Sequence, residues 1–261
     1  MKKKIIIAGN WKMNKTPKEA VDFLEKFLIN VKDSKCKVIL FAPFVDIEKC
    51  TDLIRKSNID IKIGAQNFYW EDSGAYTGEI SVPMLETIGV QTLLVGHSER
   101  RMHFMETDKD INKKVKRAVK SNSDLILCVG ETLEQKNSEK GQESVMFQLK
   151  SALEDIPKSL IHKIHIAYEP AWAIGTGKTA TPYESDKMCR FIRMCIEKMY
   201  GSEIGLYLNI LYGGSVSEEN CKNFLEMSDI NGLLIGGASL QEKCFSSIVR
   251  TADSVIKGRT E

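Results

Sequence analysis

The sequence predicts an α/β fold, one closed (β/α)8 barrel, on three observations. Eight short β-rich apolar runs recur along the 261 residues, at a spacing of roughly thirty residues, the size of one βα unit. Amphipathic helical patterns lie between them. Residues with unusual chemistry cluster just after the apolar runs, at the strand ends that a barrel gathers on one face. A doubly wound open sheet shares the alternation, but the count of eight and the convergence of polar strand ends favour the closed form.

The first run is Ile5–Ala8. A helix follows over Pro17–Val31, with Thr16 as N-cap, Pro17 in the first turn, and Ala20, Phe23, Leu24, Phe27 and Leu28 on one face. Runs Val38–Ala42, Ile59–Ile63 and Thr92–Val95 are the next strands. The helix Asp110–Lys120 aligns Ile111, Val115, Ala118 and Val119. Strands Leu125–Val129 and Ile164–Tyr168 precede a helix over Thr181–Tyr200, which opens Thr-Pro and carries Met188, Phe191, Ile192 and Cys195. Leu206–Leu211 and Leu233–Ile235 complete the strands, and the helix Ser239–Ile256 closes the chain. Such near-continuous apolar strands suit a parallel sheet covered on both faces. No Gly/Ser linker interrupts the pattern, so 1–261 reads as a single domain.

Composition narrows the function. A hydrophobic content of 43% supports a large core. Lys plus Arg is 37 against 35 for Asp plus Glu, which implies neither a nucleic-acid nor a membrane partner. Lys2, Lys3 and Lys4 read as a solvated start to the first strand. The apolar run ending at Gly9 is too short for a signal-peptide core, and no stretch has the length of a membrane span. Seven scattered cysteines argue against a disulfide framework or a zinc site, and the chain reads as cytoplasmic.

Several strand ends carry chemistry. Glu169 follows IHIAY and is the candidate general base, because a carboxylate taken out of water grips a proton more strongly. His97 ends QTLLVG and can donate a hydrogen bond to a carbonyl and shuttle protons between adjacent oxygens. Asn10 and Lys12 end the first strand, where an amide and an ammonium suit a developing enediolate oxygen. Each of these residues also has a plain alternative as a cap, a packed histidine or a surface lysine. His162 and His165 fall at a strand start and belong to the opposite end of the barrel. The stretch Gly175–Ala180 is not a P-loop, since Trp172 stands where the pattern needs glycine. It reads as a lid, hinged at Pro170-Ala171-Trp172 and Lys178-Thr179-Ala180. Gly213-Gly214-Ser215 and Gly236-Gly237 follow the last two strands, and their backbone amides suit a phosphate, with a helix N-terminus near Ser239.

The stretches GNWKMN (9–14), GAQN (64–67), GAYTGEIS (74–81), VGHSERR (95–101), CVGETLE (128–134), AYEPAWAIGTGKTATP (167–182), YGGSV (212–216) and GGASL (236–240) occur in one order. On them the chain closely resembles the triosephosphate isomerase family over essentially its whole length. The resemblance implies a TIM barrel that interconverts dihydroxyacetone phosphate and D-glyceraldehyde 3-phosphate through an enediol(ate), in glycolysis and gluconeogenesis, with no metal or organic cofactor. It places Glu169 as base, His97 as neutral electrophile, and Lys12 and Asn10 on the substrate. Gly175, Ser215, Gly236 and Gly237 would hold the phosphate. Glu99, Ser98, Cys128 and Tyr212 would support the site. It also implies a homodimer, in which Thr77 reaches the neighbouring active site and Met13 helps to form the receiving pocket.

The chain departs from the family pattern at Ala171, often valine, and at Asn209 and Asn231, often Arg and Asp. Arg193 is then expected to lack an acidic partner, and Gln135-Lys136 replaces Glu-Arg. Two other readings stand beside the isomerase: another sugar-phosphate barrel enzyme, and a non-catalytic barrel that binds a partner. A Schiff-base aldolase fits poorly, because Lys163 lies near a strand start and Lys12 at a strand end.

Overall fold

A computed structural model describes residues 4–173 and 179–258. Eight parallel strands close into a barrel in sequence order. They are β1 (Ile6–Asn10), β2 (Lys37–Ala42), β3 (Ile61–Ala65), β4 (Thr92–Val95), β5 (Asp124–Val129), β6 (Ile164–Tyr168), β7 (Ile210–Tyr212) and β8 (Gly232–Ile235). β1 pairs with both β2 and β8, which seals the ring.

Local chemistry sets the helix starts. Thr16 and Glu19 form a capping box ahead of the helix Pro17–Val31, whose buried face carries Ala20, Phe23, Leu24, Phe27 and Leu28. Thr107 and Asp110 cap the helix Asp108–Ala118, so it begins two residues before the position that hydrophobic periodicity indicates. Thr181 and Glu184 do the same for Pro182–Tyr200. The expected closing helix is two pieces, a 3-10 turn Gly237–Leu240 and the helix Glu242–Gly258.

The seventh strand differs most from expectation. Ser202–Tyr207 is a short helix entered through Gly201 at φ 101°, and only Ile210–Tyr212 enters the barrel. Leu206 and Tyr207 point to solvent. A short apolar run does not distinguish a strand from a helical turn.

The main core lies between barrel and helices. A second cluster fills the barrel itself and includes Ile39, Phe41, Leu94, Ile126, Ala167 and Leu234. Strand periodicity puts Lys37, Lys62, Thr92, Asp124 and His165 on the same inward face, one layer nearer the strand starts. Lys37 Nζ lies 2.5 Å and Lys62 Nζ 4.0 Å from Asp124 Oδ2. Asn209 Nδ2 is 3.4 Å from His165 Nδ1. The floor is therefore polar, where barrel layers are usually branched and apolar.

Asn209 and Asn231 lie one residue before β7 and β8, not within them. The expectation for Arg193 is corrected. Its Nε donates to Asp229 Oδ1 at 2.7 Å, and its second amino group donates to Asn231 Oδ1 at 2.9 Å. Asp229 supplies the negative charge, and the neutral amide completes the contact.

The floor makes stability acid-sensitive. Burial, with Lys37 and Lys62 nearby, lowers the His165 pKa from 6.5 to about 4, while Asp124 opposes the shift. The unfolded chain thus binds more protons between these values, and folding stability falls as pH drops through that window. The loss reaches up to about 3 kcal/mol for this one group. In urea titrations across this range, His165→Gln is expected to flatten the acid-side slope, whatever its absolute stability. An unchanged slope removes His165 as the cause.

Candidate active site

Glu169, His97, Asn10 and Lys12 meet at the C-terminal mouth of the barrel, around a cavity of ≈ 270 Å³ that also includes Ser215, Gly236 and Gly237. Asn10 ends β1, His97 follows β4 and Glu169 follows β6. All three are buried polar side chains.

Glu169 is held by several elements. Glu169 Oε1 is 3.2 Å from His97 Nε2. Its Oε2 accepts the Ser98 backbone N–H at 3.1 Å. The Glu169 N–H donates to Val129 O at 2.8 Å, which ties it to the end of β5. Gly213 leaves room for the side chain, because a Cβ there would sit 2.8 Å from Glu169 Cγ. Gly130 is tighter still, since its Cβ would lie 1.7 Å from Glu169 O. Gln148 holds that glycine through both its N–H and its carbonyl, at 2.9 Å each.

The imidazole has one assignable tautomer. His97 Nδ1 accepts the Glu99 backbone N–H at 3.2 Å, so Nε2 carries the hydrogen and faces the cavity. Lys12 sits at φ +55°, a left-handed conformation that disfavours side chains. Three contacts hold it: its N–H donates to Asn10 Oδ1 at 3.1 Å, its carbonyl accepts from Gln66 Nε2 at 2.9 Å, and its ammonium donates to Glu99 Oε1 at 2.6 Å.

Of the supporting residues named from the sequence, Ser98 and Cys128 touch Glu169 and Glu99 touches Lys12, whereas Tyr212 turns outward into the core between barrel and helices. Cys128 is fully buried beside Glu169, and burial pushes its thiol pKa well up, away from reactivity. Tyr212 stacks on Phe224 at 4.2 Å, with its hydroxyl beside Ser185 and Ala180. Burial raises that phenol to about 12. The helix N-terminus expected near Ser239 belongs to the 3-10 turn Gly237–Leu240. Gly175 and most of the expected lid fall in 174–178, outside the described residues. At the near flank, Trp172 Nε1 donates to Glu131 Oε1 at 2.8 Å, and Tyr168 OH donates to the same atom at 3.0 Å.

Glu131 is legible as a polar residue just after a strand, though without a role of its own, whereas Gln66 and Gln148 have none in the sequence reading. Gln66 lies inside the recognisable stretch GAQN, which is the only signal available for it. Gln148 sits in a helix and carries no signal of its own. Among the described residues, no group of His, Cys, Asp and Glu is placed to hold a metal ion, and no helix is long and apolar enough to cross a membrane.

A neutral imidazole donor, a carboxylate and an ammonium around one anion-sized pocket define a barrel enzyme able to move protons on a small phosphorylated carbonyl compound. The triosephosphate isomerase family model matches residues 5–252. The chain belongs to that family. It is 48% identical to triosephosphate isomerase of Caldanaerobacter subterraneus subsp. tengcongensis over 244 residues, which is 94% of this chain and 98% of the relative. It is 45% identical to the Clostridium tetani enzyme over 247 residues, 95% of this chain and 96% of that one. It is also 45% identical to the Acetivibrio thermocellus enzyme over 250 residues, 96% and 99% of the two chains.

Proposed function

We infer that this chain, as a single catalytic domain, interconverts dihydroxyacetone phosphate and D-glyceraldehyde 3-phosphate. The observation that carries the reading is the 3.2 Å approach of Glu169 Oε1 to His97 Nε2, inside the cavity that Lys12 and the glycine pairs share. Substrate takes over the His97 Nε2–H from Glu169. The freed carboxylate removes a proton from the carbon next to the carbonyl, and the electron pair moves onto the carbonyl oxygen. His97 protonates that oxygen and accepts the proton of the neighbouring hydroxyl, while Lys12 and Asn10 stabilise the oxyanion. Glu169 then returns its proton to the other carbon. The carbonyl itself is the electron sink, so the reaction needs no cofactor. Ser215, Gly236 and Gly237 line the end of the cavity suited to phosphate.

Purified protein is expected to convert either triose phosphate into the other with nothing added. A well-folded protein inert toward both overturns the reading. Seven free cysteines, five of them buried, fit a reducing, cytoplasmic setting.

The working form is a homodimer. Met13, Phe44, Tyr76, Met102, Phe104 and Met105 are large apolar side chains open to solvent, and Met13, Phe44 and Phe104 line a second cavity beside Lys12 and Glu99. Residues 71–79, including Thr77, are all exposed, a segment shaped to enter that cavity on a second copy. Equilibrium sedimentation is expected to return twice the chain mass, and a monomer mass counts against the pairing.

A further inference from the structure

Lys15 belongs to no candidate role above, yet its side chain is placed with care. It sits at φ +74°, three residues after Lys12 at φ +55°, so the chain between β1 and the first helix holds two residues in the left-handed region. The Lys15 ammonium donates to Leu240 O at 3.0 Å, across 225 residues of sequence. It lies 4.7 Å from the centre of the Phe23 ring and 5.3 Å from that of Trp11. Burial lowers its pKa, and the charges of Glu19 and Asp46 oppose that shift.

Leu240 ends the 3-10 turn that begins at Gly237. Trp11 Nε1 donates to Ser239 O of the same turn at 3.2 Å. Two consecutive carbonyls at the far end of the turn are thus gripped by the segment that carries Lys12. The near end of the turn borders the cavity through Gly236 and Gly237. Ser239 Oγ, donating to Gly236 O at 2.6 Å, links the two ends.

We propose that Lys15 is a positioning residue for the phosphate end of the site, acting through the Gly237–Leu240 turn. A cation hydrogen-bonded to the last carbonyl of the turn fixes its tilt, and with it the direction of the amides that meet the anion. The same segment carries Lys12, so the ammonium on the reacting oxygen and the amides on the phosphate are held at a constant separation. The idea rests on the isomerase reading and extends it to a residue that touches no substrate.

The test compares Lys15→Met with Lys15→Arg. Inorganic phosphate affinity is measured by calorimetry without substrate, and KM and kcat are measured separately. Lys15→Met is expected to weaken phosphate binding and raise KM by the same factor, roughly three- to tenfold, the size of one ordinary hydrogen bond, because the lost contact acts on the anion only through the turn. The value of kcat is expected to stay nearly unchanged, and Lys15→Arg to recover most of the loss. If Lys15→Met does not fold, Lys15→Gln asks the same question, because its shorter side chain falls short of Leu240 O. Unaltered phosphate affinity in either folded variant overturns the proposal, as does a fall in kcat at constant KM. Wild-type protein that neither isomerises triose phosphates nor binds phosphate overturns the isomerase reading instead.

Discussion

Glu169→Asp is expected to cut kcat by about 10²- to 10³-fold, because the shorter side chain withdraws the base by about 1 Å from the carbon it must reach. Every backbone contact that places Glu169 is independent of the side chain: its N–H on Val129 O, and the close passage of Gly130 beneath its carbonyl. The variant thus keeps the fold and loses only reach. Deleting one buried methylene costs on the order of 1 kcal/mol of stability, too little to unfold a barrel of this size. The Ser98 N–H that now meets Oε2 then lacks its partner at the present distance. Steady-state kinetics together with a urea midpoint separate the two effects. Full activity in the variant removes Glu169 from the base role.

Lys12→Met is the second large effect, about 10²- to 10³-fold in kcat/KM, the size expected when a preorganised cation facing a developing oxyanion is removed. The local cost to the fold is small. Glu99, the partner of Lys12 at 2.6 Å, has a side chain 36% exposed and can return to water, so the pair contributes less than about 1 kcal/mol to stability. Gln66 continues to hold the strained backbone through the carbonyl at position 12. The variant should melt close to wild type while binding the anionic substrate poorly. A variant with wild-type kcat/KM places Lys12 outside the chemistry.

Much of this arrangement is legible in the amino acids. The helix Pro17–Val31 has the same bounds by reading and by structure, because the cap at Thr16, the proline and the apolar face agree. Strands Thr92–Val95 and Ile164–Tyr168 also coincide, being apolar runs bounded by polar residues. Lys12, His97 and Glu169 stand out because each is a polar residue at the end of an apolar strand. Leu206 and Tyr207 misled for the opposite reason: they are apolar, yet they sit on a short helix facing solvent. Gln148 and Lys15 carry no mark in the sequence because their work is done on backbone carbonyls or amides elsewhere in the chain. No local pattern announces such a contact. The acidic partner of Arg193 differs from expectation because it lies two residues before position 231, at Asp229.

The most direct test of the central claim is to run the isomerisation in deuterated water and follow the product by proton NMR. A proton that passes through Glu169 can exchange with solvent, so deuterium is expected at the carbon that receives it, and both the turnover and the label should be lost in Glu169→Gln. Product formed at the wild-type rate by Glu169→Gln, or wild-type product without any carbon-bound deuterium, would contradict proton transfer through this carboxylate.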